Sequence, residues 1–122
     1  PGFGGTQRLA RVIGYISKAK ELLFSCRNIK AEEAIKIGLV SCVFPQQDLL
    51  AEALKIANRI ASNAPIAVRN IKKAVNEGLD MPIAEAIQHE VGLFSNCFTT
   101  EDQKEGMQAF MQKRKDKAFK NR

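Results

Sequence analysis

The sequence runs to 122 residues, 45% apolar and 26% charged, with 19 Lys and Arg against 13 Asp and Glu. A chain of that size makes at most one domain, expected to bury about two thirds of the surface its unfolded form exposes. Collagen, low-complexity disorder and membrane spans are excluded, because charged or amide side chains cut every apolar run well short of the roughly 20 residues a spanning helix needs.

The chain opens in a glycine-rich turn, Pro1-Gly2-Phe3-Gly4-Gly5-Thr6. With no element ahead of that turn, the sequence reads as a piece of a longer protein whose missing part lies upstream. Thr6 is a candidate N-cap for a short helix over 7–13 ended by Gly14. A second helix over 15–26 carries Ile16, Ala19, Leu22 and Leu23 at helical spacing, and a third spans 28–37, with Gly38 suited to the left-handed position past its end. Leu39-Val40-Ser41-Cys42-Val43-Phe44 has strand composition between Gly38 and Pro45, so one short strand is expected at 39–44. A lone strand needs a partner, and none is visible.

From Gln46 the pattern is helical. A helix at about 47–62 has an apolar face wide enough to be buried on more than one side, built on Leu50, Leu54, Ala57 and Ala61 with Leu49, Ala53, Ile56 and Ile60 beside it. Asn63-Ala64-Pro65 opens a helix ended by Gly78, and Asp80-Met81-Pro82 opens another to about Ser95. Thr100 and Gln103 have capping-box spacing at the head of a last helix. That helix is expected to turn Met107, Phe110 and Met111 inward and then run out into a basic tail. The fold class predicted is mainly α with that one strand. Two regions are expected, 1–45 with the glycine turn and strand, and 46–122 as a helical region ending in the tail.

Charge is concentrated at the end: residues 113–122 carry a net +5 of the chain's +6. Cys26, Cys42 and Cys97 form no CxxC pair and have only His89 to join them, so neither a disulfide framework nor a zinc or other metal site is expected. The thiols read as small apolar side chains in a reducing compartment.

Three features offer chemistry. The glycine turn leading into a helix presents backbone N–H groups suited to a carbonyl, carboxylate or phosphate, or is simply a tight turn; it is neither GxGxxG nor a Walker loop. The carboxylates read as caps and solvated faces, with Glu90 and Glu105 nearer apolar stripes and more naturally structural pairs than acid–base catalysts. His89 and Glu90, adjacent in sequence, point about 100 degrees apart around a helix and make no dyad. Phe110 and Lys113, three apart, put an aromatic face beside cations, an arrangement for a base and phosphates or merely a basic end that complements the helix dipole.

Taken together, Pro1-Gly-Phe-Gly-Gly-Thr-Gln-Arg-Leu-Ala-Arg-Val-Ile-Gly14, Ala19-Lys20-Glu21-Leu22, Ile29-Lys30-Ala31-Glu32-Glu33-Ala34, Gly38-Leu39-Val40, Val43-Phe44-Pro45, Ala64-Pro65 with Lys72, and Thr100-Glu101-Asp102-Gln103-Lys104-Glu105-Gly106-Met107 with Ala109-Phe110 and Lys113-Arg114 resemble the enoyl-CoA hydratases of the crotonase superfamily. The wording is most similar to bacterial short-chain 3-hydroxybutyryl-CoA dehydratases. The resemblance implies the C-terminal helical portion of the crotonase α/β spiral fold and a hydro-lyase activity, the reversible hydration of trans-2-enoyl-CoA in fatty acid or butyrate metabolism. The acyl-CoA thioester is then the substrate, and no cofactor or metal is expected. The resemblance also implies that the two glutamates and two backbone N–H donors of the reaction lie upstream of Pro1, so that this chain holds no catalytic residue and is inactive alone.

What carries over is Gly2 and Phe3 as the wall beside the catalytic water, and Phe110 and Lys113 as residues that reach CoA in a neighbouring subunit. Met111-Gln112 stands where the family often has an acid before the Lys. The helices from about 47 onward are implied to be a trimerisation region, giving a trimer or dimer of trimers, cytoplasmic, with no nucleic-acid or membrane partner. The alternatives are an isomerase or hydrolase of the same superfamily, or a helical nucleic-acid-binding module using the basic tail, which would bind with steep salt dependence.

Overall fold

The structure is a computed structural model that describes residues 2–122. Among these, seven helices follow in order: α1 (Gly5–Ile13), α2 (Ile16–Ser25), α3 (Ala31–Lys36), α4 (Leu49–Ala61), α5 (Pro65–Gly78), α6 (Ile83–Cys97) and α7 (Glu101–Met111). The chain divides after Glu52, within α4, into two compact units.

In the first unit α1 packs on α2. Gly4, in the left-handed conformation at φ 80°, is the N-cap of α1, which places Thr6 inside the first turn instead of at the cap. A side chain at Gly4 would meet the Arg8 guanidinium at 2.8 Å. Ala19, Leu22 and Ala34 are the buried apolar residues here. α3 ends in a Schellman motif: Gly38 sits at φ 74°, its N–H reaches Ile35 O at 3.2 Å, and Leu39 N–H reaches Ala34 O at 2.9 Å.

The strand expected at 39–44 is not there: no strand occurs among the described residues. Its branched residues satisfy the composition of a strand, but a ladder needs a second chain segment to take its N–H and C=O groups. Val40 and Val43 stay exposed.

In the second unit α5 and α6 form a packed pair with Leu93 buried. Pro65 occupies the first turn of α5 as expected, while Asn63 turns back to donate to Arg59 O at 2.9 Å and so closes α4. Asn70 bridges the pair, donating to Leu93 O at 3.0 Å. Phe94 and Phe98 meet edge to face at 5.1 Å.

The apolar faces have little to cover them. The chain exposes 9809 Å², where a globular monomer of this mass exposes roughly 6,500 Å². Burial therefore reaches roughly half of the unfolded surface, not the two thirds expected. No α4 residue is buried, so the wide face expected to be covered on more than one side stands open.

Candidate functional site

Two places gather the residues marked by the sequence. The first is the glycine turn. Gly5 N–H bonds to Gly2 O at 2.9 Å, closing a turn in which Phe3 (φ 53°) and Gly4 both have positive φ. Glycine takes that conformation freely, but for Phe3 it costs about 1 kcal/mol. The Arg8 guanidinium donates to Phe3 O and holds the turn against α1. The result is a Phe3 ring that is 100% exposed, carried on strained backbone. A side chain at Gly2 would meet nothing within 4 Å among the described residues. The packing among the described residues therefore leaves room for a side chain at position 2.

The second place is α7 and the segment after it. Thr100 caps the helix, its Oγ1 accepting from Gln103 N–H at 3.1 Å. At the other end Lys113 N–H bonds to Phe110 O at 3.1 Å and Arg114 N–H to Ala109 O at 2.9 Å. This is a second Schellman motif, with Lys113 in the left-handed position at φ 54° where α3 uses Gly38. A lysine there forgoes about 1 kcal/mol relative to glycine. Phe110 is 81% exposed, and Met107 and Met111 are exposed too. The expectation that these three point inward is thus corrected: the buried face of α7 is that of Asp102 and Ala109.

Nor does the basic tail run free. It doubles back along α7. Arg114 forks onto Glu105 at 3.1 Å, and Glu105 also accepts Ala118 N–H at 3.2 Å. The Asp102 carboxylate accepts Lys120 N–H at 2.6 Å and Asn121 N–H at 2.9 Å. Glu101 pairs with Lys120 at 3.7 Å and Arg122 at 3.2 Å, and Arg69 of α5 donates to Asn121 Oδ1 at 2.8 Å. The Ala118 N–H is the chief cause that lowers the Glu105 carboxyl below its ordinary range, with Arg114 adding to it. Three of the tail's cations are thereby spent inward, while Lys113, Lys115 and Lys117 make no ion pair among the described residues.

Sequence reading anticipated Glu105 as a structural pair and missed Asp102, which is 2% exposed. An Asp in a first turn ordinarily serves its own helix; nothing local marks one whose partners lie 18 and 19 residues on. His89, correctly kept apart from Glu90, reaches Glu77 at 2.8 Å on the neighbouring helix.

A third cluster was also missed. Arg27, in the loop between α2 and α3, clamps Glu21 at 2.7 Å and Glu33 at 2.8 Å, and Lys18 bonds both carboxylates at 2.9 and 2.8 Å. The six-residue spacings on either side of Arg27 match no helical pairing rule. Hydrogen bonds from Arg27, then Lys18, hold both carboxyls down from 4.5 to about 2. Folded values below the ordinary one mean the cluster's support is whole above pH 4.5 and is lost as pH falls toward about 2. Carboxyl carbon NMR is expected to show Glu21 and Glu33 titrating near 2 in the native chain and both moving up in Arg27→Met; midpoints near 4.5 before substitution contradict the clamp.

All three cysteines are free thiols; Cys26 and Cys42 are exposed, and half-buried Cys97 accepts from Asn70 Nδ2 at 3.4 Å and donates to Leu93 O at 3.5 Å, so none is simply the buried apolar side chain expected. Among the described residues no group of His, Cys, Asp and Glu is arranged to hold a metal. Among the described residues no helix is long and apolar enough to cross a membrane.

The family model for enoyl-CoA hydratase/isomerase matches residues 1–122. The chain is 52% identical over all 122 residues to the short-chain-enoyl-CoA hydratase of Clostridium acetobutylicum, covering 46% of that protein. It is 51% identical over 115 residues to the crotonyl-CoA hydratase of Syntrophomonas wolfei, covering 94% of this chain and 44% of the relative. The solved enoyl-CoA hydratase of Bacillus anthracis superposes with a TM-score of 0.95 at 43% identity, over 100% of this chain and 46% of that one. The chain spans about half the length of the relatives it matches. These matches bear out the family and the crotonase fold; they do not bear out the placing at the C-terminal end. On the strength of a match along its whole length, the chain belongs to the enoyl-CoA hydratase/isomerase family.

Proposed function

We propose that this chain is half of a trans-2-enoyl-CoA hydratase, run in reverse as a 3-hydroxyacyl-CoA dehydratase, acting on short acyl chains such as crotonyl-CoA. The observation that carries the reading is 52% identity, with no part of the chain left over, to a relative named for short-chain enoyl-CoA hydration.

In this reading Gly2 and Phe3 form a wall of the acyl site. No described neighbour crowds Gly2, which fits a place where water or the thioester approaches the backbone. Phe110 and Lys113 meet the adenine and phosphate end of CoA, the ring by stacking and the ammonium by charge. Addition of water across the enoyl bond needs a base, an acid and donors that stabilise the developing enolate. Those groups come from the remainder of the protein, because no carboxylate described here is both desolvated and unengaged. The reaction draws on no metal or redox group, and the sparse free thiols fit a cytoplasmic setting. The protein is proposed to assemble as a trimer or dimer of trimers.

The nucleic-acid reading weakens, because Arg114, Lys120 and Arg122 answer carboxylates of the chain itself.

The test is a chimera in which this chain replaces the matched segment of the C. acetobutylicum hydratase. It is expected to convert crotonyl-CoA to 3-hydroxybutyryl-CoA within about tenfold of the parent kcat/KM, a 1.4 kcal/mol margin for a foreign half. A folded chimera that releases free CoA, shifts a 3-enoyl double bond, or leaves crotonyl-CoA untouched overturns the proposal.

A further inference from the structure

Lys113 stands in a conformation that lysine avoids, at the corner where the chain reverses from α7 into residues 114–122. Such a conformation persists only where the surroundings hold it. On one side it is held by the two Schellman bonds of α7. On the other, the returning segment is strapped down along a single face of the helix, since Asp102, Glu105 and Ala109 fall at helical spacing and Ala109 is fully buried. The strap is fastened at three helix residues: Glu105 takes Arg114 and Ala118 N–H, Asp102 takes Lys120 and Asn121 N–H, and Glu101 donates its N–H to Arg122 O at 2.8 Å while its carboxylate meets Lys120 and Arg122. Phe119 also lies over Gly106, where a side chain would come 3.8 Å from its ring.

The Asp102 latch differs in kind from the surface ion pairs around it. Both its oxygens are used, both partners are backbone donors, and the carboxylate is almost wholly removed from water. Charged acceptors of backbone N–H groups are the stronger class of hydrogen bond. The strap also sorts its cations: Arg114, Lys120 and Arg122 turn inward, while Lys113, Lys115 and Lys117, at alternate positions, stay exposed and unpaired among the described residues.

We propose that Asp102 is a positioning residue: by latching the strap it sets where Lys113, with Lys115 and Lys117, presents positive charge to the phosphates of the acyl-CoA. The inference rests on the reading above that Lys113 meets the phosphate end of CoA. It assigns Asp102 no contact with substrate.

The experiment uses the chimera and two substrates, crotonyl-CoA and crotonyl-pantetheine, the second lacking the adenine and phosphates. An Asp102→Asn side chain offers one acceptor where two donors wait. It is expected to release Lys120 and Asn121 amides to hydrogen exchange at least about 100-fold faster, and to raise KM for crotonyl-CoA about tenfold with kcat within about twofold. KM for crotonyl-pantetheine is expected to stay within about twofold, because uniform binding is lost only where phosphate is present. Lys120→Pro breaks the latch from the strap side, leaves α7 intact and must reproduce the split if Asp102→Asn fails to fold. Lys120→Gln removes the same charge but keeps the N–H, and its KM for crotonyl-CoA is expected to lie at least about fivefold below that of Lys120→Pro.

Equal losses on both substrates make the latch merely structural and overturn the proposal. Released amides with an unmoved crotonyl-CoA KM overturn it as well. If the unsubstituted chimera already handles the two substrates alike, the Lys113 reading fails and takes the positioning role with it, an outcome distinct from a latch that does nothing.

Discussion

The 122-residue chain on its own is expected to add water to crotonyl-CoA slower than the chimera by roughly 10⁴-fold or more, the combined loss of general acid–base help and oxyanion donors. The expectation follows from the state of its carboxylates. Glu21 and Glu33 are clamped by Arg27 and Lys18, Glu77 meets His89, Glu101 meets Lys120 and Arg122, Glu105 meets Arg114, and Asp102 holds backbone N–H groups. Glu32, Asp48, Asp80, Glu85, Glu90 and Asp116 are exposed to water. A carboxyl able to act near neutral pH needs partial desolvation and freedom to accept a proton, and none of these has both. Hydration followed by loss of the enoyl thioester absorbance tests the claim, with the chimera at equal concentration as reference. Turnover by the isolated chain within tenfold of the chimera refutes it.

Local signals were legible wherever the physics is local. Thr100 with Gln103, Pro65 in a first turn, Gly78 at the end of α5 and Gly38 past α3 each involve a bond or dihedral within a few residues, and each stands where the pattern put it. The family, too, was legible, because its motifs are backbone turns and helix ends in a set order. Failures came where one segment needs another. Leu39–Phe44 has strand residues and no ladder. Met107, Phe110 and Met111 have the spacing of a core stripe, yet the face that is covered belongs to Asp102, whose latch is made with residues far along the chain. The +5 tail looked like one cationic surface, and its division into inward and outward charges depends on α7 supplying Glu101 and Glu105. For the candidate site, the strain at Phe3 and Lys113 had no sequence signal, since both stand where glycine is the usual choice.

Ile83→Asp is expected to break the assembled chimera into single chains while leaving each chain folded. Ile83 is the first residue of α6 and 76% exposed, beside Leu79 at 80% and an open groove of about 290 Å³ lined also by Val75 and Ile87. Within one chain an aspartate at that place does no harm, because the first turn of a helix favours negative charge. Buried in an apolar interface it has no partner, and an uncompensated carboxylate there costs several kcal/mol, roughly 10³-fold or more in association constant. The surface left over in this chain, roughly 3,000 Å² beyond that of a globular monomer, is shared between the remainder of the protein and neighbouring subunits, and a face of α5 and α6 is a part of it that a subunit contact would cover. Light scattering after size exclusion is the measurement, with Ile83→Ala as the control that removes bulk without charge. A mass that falls to one chain for Asp and not for Ala supports a homo-oligomer joined through α5 and α6. An unchanged mass at every concentration tried removes this face from the assembly and leaves the proposed trimer without its contact.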